Sequence, residues 1–348
     1  MELVTSLPAD TPLSEVATRI RRIEALGFDT VHISETVRDP FGVCALAAEH
    51  STALTIRTSM VVAFPRSPML TAYAAWDLAR FSGGRFQLGI ASQVRGNIVG
   101  RYSTPWTDPV AQLGDYAAAL RAIFESFQTG SRLDHHGSHY EFTRLQPYFN
   151  PGPLDVTPPS LWMGGVGPRM CELAGAAADG FVAHPTGSHP LSLADRVLPA
   201  LHIGAQRARR TDGGPRIIVV PKMITGPDAE SLAESRERLR SELAFLYSTP
   251  AYRGTLDLVG HPETADRLSA AAHAGAWTDL PAILTDEVLE TLVPEAVYAD
   301  LPTVLDRWYG SYCDGIALQI PPTTDNDDEF RDMLTELRGP RSGTYPQA

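Results

Sequence analysis

Cysteine, long apolar runs and basic residues are all scarce in this sequence of 348 residues. The three cysteines, Cys44, Cys171 and Cys313, stand far apart without a CxxC pair. This excludes a disulfide framework and a zinc ribbon, and it is typical of a reducing compartment. No stretch reaches the roughly 18 uninterrupted apolar residues of a membrane span, and the first residues lack the basic segment and apolar run of a signal peptide. We therefore expect a cytoplasmic protein with no membrane partner.

Positive charge is scarce as well. The 29 Lys and Arg residues are outnumbered by 41 Asp and Glu residues, and the formal net charge is −12. Nucleic acids and anionic membranes recruit proteins through basic patches, so this balance argues against both as partners. Apolar residues make up 43% of the chain and charged residues 20%, which is ordinary globular composition with enough material for a large core. The partner we expect is a small-molecule substrate.

Short runs of β character alternate with longer helical patterns from one end of the chain to the other. The runs of β character are Leu3–Leu7, Thr30–Ser34, Thr55–Phe64, Arg85–Ala91, Ser160–Gly164, Gly180–Ala183, Arg216–Ile224 and Gly315–Ile320. Strands that are separated by helices must be parallel, because each crossover is a helix. A doubly wound open sheet would fit the local pattern too, but eight strands over about 320 residues favour a closed (β/α)8 TIM barrel.

Two segments interrupt the alternation. Residues 131–158 hold Asp134-His135-His136-Gly137 and a stretch rich in proline and glycine, which predict a β-hairpin insertion. No carboxylate or cysteine stands at metal-ligand spacing from these histidines, so we expect no metal site. Residues 251–297 predict a helical insertion. We therefore expect an α/β fold with a single domain over residues 1–348, in which chemistry gathers at the carboxyl ends of the strands.

The most informative segment is Leu161-Trp162-Met163-Gly164-Gly165-Val166-Gly167-Pro168-Arg169-Met170. A strand runs into glycines and then into a helix, whose first amides lack intrahelical acceptors and whose dipole favours an anion. Glycines let a phosphate approach the backbone. The segment is not a P-loop, because no Gly-Lys-Ser/Thr follows, and Met170 stands where a dinucleotide fingerprint has its third glycine. From spacing alone, phosphate binding and a tight turn that needs glycine for packing are equally good interpretations.

Polar side chains at the other strand ends are further candidates. Glu35 follows the second strand and is a candidate proton donor or hydrogen-bond acceptor at the reacting centre. The alternative is a surface charge that caps the next helix. His184 directly follows the sixth strand and is a candidate catalytic residue, while Ser59 and Ser92 lie near the ends of the third and fourth strands.

Several segments taken together resemble the luciferase-like monooxygenase superfamily, particularly its F420-dependent branch. They are Ala25–Asp29 (ALGFD), Phe64–Pro68 (FPRSP), Leu78–Gly89 (LARFSGGRFQLG), Gly137–Phe142 (GSHYEF), and Gly167–Met170 running on to Ala178–Phe181 (ADGF). The SGGRF-x-LGI and GGVGP…AADGF blocks are fairly specific. The match extends over most of the chain and is weakest across residues 251–310.

The resemblance implies a (β/α)8 barrel with the cofactor's ring in the mouth and its phosphate at Gly164–Arg169. Cofactor contacts are then implied for Ser34, Ser59, Met60, Ser92, Gly164, Gly165, Val166, Gly167 and Arg169, with a cis peptide bond between Ser59 and Met60. At Gly167 we expect a left-handed backbone or a close approach to the ligand, either of which valine would abolish.

The resemblance also bears on the reaction. Luciferases and relatives that act on sugar phosphates carry a histidine directly after the acidic residue of strand two, where this chain has Thr36. Neither activity is therefore indicated. The function we expect is hydride transfer between coenzyme F420 and a small organic substrate, in a homodimer. The alternatives are an FMN-dependent monooxygenase fed by a separate reductase, and a catalytically inactive barrel that only binds a ligand.

Overall fold

The computed structural model describes residues 1–339. The strands, in chain order, are β1 (Glu2–Ser6), β2 (Thr30–Ile33), β3 (Thr55–Thr58), β4 (Val61–Val62), β5 (Phe86–Ala91), β6 (His135–His136), β7 (Glu141–Phe142), β8 (Leu161–Gly165), β9 (Gly180–Ala183), β10 (Arg216–Val219), β11 (Ile224–Gly226), β12 (Glu295–Val297) and β13 (Gly315–Ala317). The helices are α1 (Leu13–Leu26), α2 (Pro40–Glu49), α3 (Pro68–Phe81), α4 (Arg95–Gly100), α5 (Pro109–Thr129), α6 (Pro168–Ala177), α7 (Pro190–Ser192), α8 (Leu198–Arg207), α9 (Ala229–Tyr247), α10 (Gly254–Leu258), α11 (Pro262–His273), α12 (Leu280–Ile283), α13 (Asp286–Leu292), α14 (Leu301–Tyr309) and α15 (Asp327–Leu337).

Local sequence signals set the helix ends. Asp108 caps α5 by accepting hydrogen bonds from the amides of Val110 (2.9 Å) and Ala111 (3.3 Å), and Pro109 occupies the first helical position. At the end of α1, Gly27 has φ +95°, a left-handed conformation that favours glycine. Among the described helices, none combines the length and apolar character needed to cross a membrane.

A single parallel sheet carries the fold. Its hydrogen-bonded order is β3-β2-β1-β13-β10-β9-β8-β5-β4, and a further pairing between β3 and β5 closes it into a ring. Because β4 continues β3 on the far side of Ser59-Met60, the strand segments fill eight positions in this ring. The closed (β/α)8 barrel predicted from the sequence is confirmed.

Two of the predicted strands are interrupted. The run Thr55–Phe64 is divided into β3 and β4, and the Ser59-Met60 peptide bond between them is cis, as the resemblance implied. The prediction of one strand over Arg216–Ile224 is wrong. The barrel strand ends at Val219, Pro221 follows, and β11 pairs in parallel with β12 in a separate small sheet. Proline has no amide to donate to a ladder, so it ends a central strand.

The residues group into two compact units. The first comprises Val4–Val182 and Ala200–Arg216, and the second comprises Met1–Leu3, Ala183–Pro199 and residues 217–339. The helical segment predicted at 251–297 belongs to the second unit and shares a core with α9. Its buried leucines include Leu239, Leu243, Leu256, Leu268, Leu280, Leu284 and Leu289. Each such side chain contributes about 1.5–3 kcal/mol through burial. The single-domain organisation stays a prediction.

The segment predicted as a hairpin insertion contains the antiparallel pair β6–β7. Asp115 of α5 holds this hairpin by accepting hydrogen bonds from His135 Nε2 (2.8 Å) and from the amides of His139 (2.6 Å) and Tyr140 (3.0 Å). Burial raises the pKa of Asp115, but these hydrogen bonds outweigh it and hold the pKa below its usual range. A Cβ atom at Gly137 would lie 1.8 Å from the Asp115 carboxylate, so the turn requires glycine.

Candidate cofactor site

Within the first unit, the carboxyl ends of four strand positions lie side by side. Ile33 is opposite Thr58, Val62 is opposite Ala91, and Ile90 is opposite Met163. The residues that follow these pairs are therefore neighbours at one edge of the sheet. In (β/α)8-barrel enzymes, the active site lies at this edge. They include Ser34, Ser59, Ser92, Gly164, Gly165, Val166 and Gly167. Their role in binding a cofactor stays a prediction.

The three serines at this edge differ in the hydrogen bonds that they make within the protein. Ser34 and Ser59 are half-buried, and the Ser59 amide donates to the carbonyl of Ile33 at 2.8 Å. The Ser92 hydroxyl donates to the carbonyl of Gln93 at 3.2 Å. Gln93, two residues after β5, has φ +60°, a left-handed backbone conformation. All three serines thus lie where the strands end and the loops begin.

The side chain of Met60 lies across β5 and β8. A Cβ atom at Gly164 would come within 3.3 Å of Met60 Cγ, and one at Gly89 would come within 2.6 Å of Met60 Sδ and 2.0 Å of the Thr58 carbonyl oxygen. Both glycines therefore make room for neighbouring strands and for the thioether. Met60 gives this end of the sheet an apolar surface between β5 and β8.

Gly165 and Gly167, in the turn from β8 into α6, have different surroundings. A Cβ atom at Gly165 would lie 2.6 Å from Met170 Cγ, so packing within the turn explains that glycine. Gly167 is the N-cap of α6 with φ −81° and ψ 151°, and a Cβ atom there would meet no atom within 4 Å. The left-handed backbone expected at Gly167 is wrong, because this φ is open to any residue. Packing inside the protein does not explain glycine at this position.

Backbone amides at the same turn are open. Between residues 1 and 339, the amides of Val166 and Gly167 donate to no protein atom, and Pro168 has no amide hydrogen. The first bonds of the helix run from the amides of Met170 (3.0 Å) and Cys171 (3.1 Å) to the Gly167 carbonyl. The positive end of the α6 dipole lies here. The turn therefore combines open space, unused donors and a field that favours an anion.

Arg169, predicted as an anion partner, is half of an ion pair. Its Nη2 atom lies 2.9 Å from Asp108 Oδ2, and the side chain is 70% exposed. The hydrogen bond from Arg169, followed by those from the amides of Ala111 and Val110, lowers the pKa of Asp108. A guanidinium carries five N–H donors, so this contact leaves others for a ligand. Asp108 and Arg169 are 61 positions apart, so no local sequence signal connects them.

Glu35 is not the open carboxylate that the sequence analysis expected. The residue is buried, and Oε2 accepts a hydrogen bond from the Val62 amide at 2.8 Å. Arg66 Nη1 donates to both carboxylate oxygens at 2.7 and 2.8 Å. Burial, followed by the charge of the nearby Glu35, raises the pKa of the Tyr102 phenol. The carboxylate therefore ties the end of β2 to β4 and to the segment that follows β4.

Sequence reasoning missed Arg66 and Tyr102. Arg66 stands in the FPRSP segment quoted for the resemblance, but nothing local connects it with Glu35, which is 31 positions away. Tyr102 lies in the loop that follows α4. The neighbouring residue in this loop, Arg101, donates a hydrogen bond to the Thr36 carbonyl. Arg66 and Tyr102 are distant from Glu35 in the sequence, and the closed barrel brings them close to it.

His184 belongs to the second unit, where it directly follows β9. Its Nδ1 atom lies 2.8 Å from the Thr186 hydroxyl, and its ring stacks on Tyr252 with centroids 5.0 Å apart and planes at 21°. Burial, and then the charge of Lys222, lowers the pKa of His184 to about 4. The imidazole is therefore neutral at neutral pH and is suited to hydrogen bonding more than to donating a proton as an acid.

Known proteins resemble this chain over most of its length. The sequence profile of the family described as luciferase-like monooxygenase matches residues 1–304. An uncharacterized protein of Mycobacterium tuberculosis is 33% identical over 322 residues, which cover 92% of this chain and 93% of that protein. The 5,10-methylenetetrahydromethanopterin reductase of Methanolobus tindarius is 26% identical over 274 residues, 78% of this chain and 77% of the reductase. The coenzyme F420 dependent tetrahydromethanopterin reductase from Methanopyrus kandleri superposes with a TM-score of 0.75 at 17% identity, over 97% of this chain and 98% of that one.

Proposed function

This chain belongs to the luciferase-like monooxygenase family, and we propose that it is an F420-dependent oxidoreductase. The proposed reaction is hydride transfer between the deazaflavin and a small organic substrate. When bound, F420 supplies a ring carbon that donates or accepts the hydride. The relative from Methanolobus tindarius is named as a reductase, which supports this chemistry over oxygenation.

The observation that carries the proposal is the turn into α6. Gly167 leaves open space where a side chain would stand, and the amides of Val166 and Gly167 are unused among residues 1–339. Such a turn fits a phosphate, which binds helix starts through backbone amides. F420 and FMN both carry a phosphate, so the turn supports a flavin-shaped cofactor. The F420 dependence of the Methanopyrus kandleri reductase, which shares this fold, supports F420.

The residues of the first unit divide into two roles in this proposal. Ser34, Ser59, Met60, Ser92, Gly164, Gly165, Val166, Gly167 and Arg169 hold the cofactor. Glu35 has a positioning role in place of the catalytic one expected from the sequence, because both of its oxygens already accept hydrogen bonds from Arg66. Through the Val62 amide it fixes the β3–β4 segment against the end of β2.

The second candidate is an FMN-dependent monooxygenase that receives reduced flavin from a separate reductase. The description of the family favours it. FMN has nitrogen where F420 has its reactive carbon, and it supports reaction with oxygen. The homodimer and the cytoplasmic location expected from the sequence stay predictions.

Separate titrations of the purified protein with F420 and with FMN, followed by cofactor fluorescence, test the proposal. We expect saturable binding of F420, and binding of FMN that is at least about tenfold weaker, a difference of about 1.4 kcal/mol. Tighter binding of FMN would overturn the cofactor assignment in favour of the monooxygenase. Binding of neither would leave the inactive barrel as the better description.

A further inference from the structure

Two histidines of the second unit, His184 and His189, cap short helical turns in the same way. His184-Pro185 and His189-Pro190 each place proline at the first helical position. In each case the ring Nδ1 accepts a hydrogen bond from the amide two residues on, at 3.3 Å from Thr186 and 3.2 Å from Leu191. The two His-Pro units are five residues apart in the sequence, so the surroundings of the two rings can be compared directly.

This capping fixes the tautomer of both rings. A backbone amide can only donate, so a ring nitrogen that accepts from it carries no proton. In the neutral imidazole the proton then stands on Nε2. The Thr186 hydroxyl, 2.8 Å from the same Nδ1 of His184, acts as a second donor and reinforces that tautomer.

The two rings differ in what Nε2–H meets. In His189 it donates to the Thr291 carbonyl at 3.0 Å, and the buried ring stands edge-on to Trp308 with centroids 5.6 Å apart. His184 is only half-buried, and no atom of residues 1–339 accepts from its Nε2. Its ring plane is held by the stack on Tyr252. His189 therefore uses both ring nitrogens within the protein. His184 holds its Nε2–H in a fixed position directly after a barrel strand, with no acceptor among residues 1–339.

The charges around His184 favour the neutral ring. Lys222 is the charged group whose field acts on it, and Lys222 is itself paired with Glu242. Burial and this positive charge both oppose protonation of the ring. A neutral N–H donor suits a carbonyl oxygen, which needs one donor and no full countercharge.

We propose that His184 is a ligand-binding residue whose Nε2–H donates a hydrogen bond to a carbonyl oxygen at the end of β9. Two sources of that oxygen share this chemistry, the dione of the cofactor's ring and a carbonyl of the substrate. The identity of the ligand rests on the proposed function. The tautomer of the ring and the open Nε2–H do not.

The first experiment is ¹⁵N NMR of the histidine rings in the whole ligand-free protein between pH 5.5 and 8. We expect His184 to show the neutral Nε2–H tautomer throughout, and His189 to show the same tautomer at pH 8. Addition of F420, or of F420 with substrate, then shifts the Nε2 resonance of His184 and leaves that of His189. A ring of His184 that carries its proton on Nδ1, or that titrates above pH 6, overturns the inference without touching the proposed function.

The second experiment compares His184→Leu with the matched variant His189→Leu. Loss of one hydrogen bond corresponds to about a tenfold change. A tenfold rise in the F420 dissociation constant of His184→Leu assigns the oxygen to the cofactor, and an equal fall in kcat/KM at unchanged F420 affinity assigns it to the substrate. His189→Leu should lower Tm and change neither quantity. Unchanged values in a folded His184→Leu protein overturn the inference, and failure of the parent protein to bind F420 or FMN overturns the proposed function and the ligand assignment together.

Discussion

The end of β2 and the turn into α6 lie at the same edge of the sheet but use their polar groups in opposite ways. At the end of β2, the Glu35 carboxylate is already bonded to Arg66 and to the Val62 amide. At the turn, the amide of Gly167 donates to nothing in residues 1–339, and its missing side chain leaves open space. A charged side chain beside a barrel mouth can thus be part of the scaffold, whereas the uncharged backbone of the turn is the surface that we propose binds the ligand.

The difference has a physical cause. A buried carboxylate without partners costs several kcal/mol, so the fold must supply donors from within the protein. The amides at a helix start are left over by the geometry of the helix itself, and water or a ligand can satisfy them. Stability and ligand binding, measured on the same variants, therefore separate scaffold groups from ligand groups.

The largest effect is expected at Glu35. Glu35→Gln keeps the shape of the side chain but removes the buried one of the two carboxylates that pair with Arg66, and only the exposed Asp39 remains. We therefore expect a loss of about 2–3 kcal/mol in the free energy of unfolding. Urea denaturation measures it. The matched control is Glu15→Gln, which breaks the exposed pair with Arg19 and should cost no more than about 0.5 kcal/mol. A Glu35→Gln protein of parental stability that loses turnover would return Glu35 to the catalytic role expected from the sequence.

The two glycines of the turn should differ in stability. Gly165→Ala forces a Cβ atom against Met170, 2.6 Å from its Cγ, and we expect a cost of about 1–2 kcal/mol. Gly167→Ala meets open space at an ordinary φ, so its unfolding free energy should stay within about 0.5 kcal/mol of the parent. Thermal and urea unfolding of both variants check this contrast. Equal costs at the two positions would mean that Gly167 also serves packing.

Asp115 offers a second scaffold carboxylate with a pH signature. Its folded-state pKa is below its ordinary value, so its contribution to stability is present at neutral pH and is lost as the pH falls through that folded-state pKa. We expect Asp115→Asn to cost about 1 kcal/mol at pH 7 and the difference from the parent to shrink on acidification below about pH 4. Urea unfolding at pH 7 and pH 3 gives both values. A difference that is constant with pH would contradict the assignment.

Much of the fold was readable from the sequence because its signals are local. The Asp108-Pro109 helix start, the Gly27 helix stop and the glycine-to-helix turn at Gly164–Arg169 all depend on neighbouring residues. The strand predicted over Arg216–Ile224 is wrong because Pro221 interrupts the apolar run and ends the barrel strand at Val219.

The candidate site was less predictable because its contacts are distant in sequence. Glu35 gave a strand-end position but no indication of Arg66 or Tyr102, which only the closed sheet brings to it. Spacing could not separate the packing role of Gly165 from the open position of Gly167, since both are glycines in one short turn. Their surroundings in three dimensions make that distinction.

The binding of F420 to Gly167→Val tests the central claim, that the turn into α6 is the phosphate site, most directly. The matched control is Gly42→Val, because Gly42 also lies in the first turn of a helix with open space around its Cβ position. Both variants should fold with parental Tm. We predict that Gly167→Val binds F420 at least about tenfold more weakly than the parent and that Gly42→Val binds it equally well. A folded Gly167→Val protein with the parental dissociation constant would contradict the account.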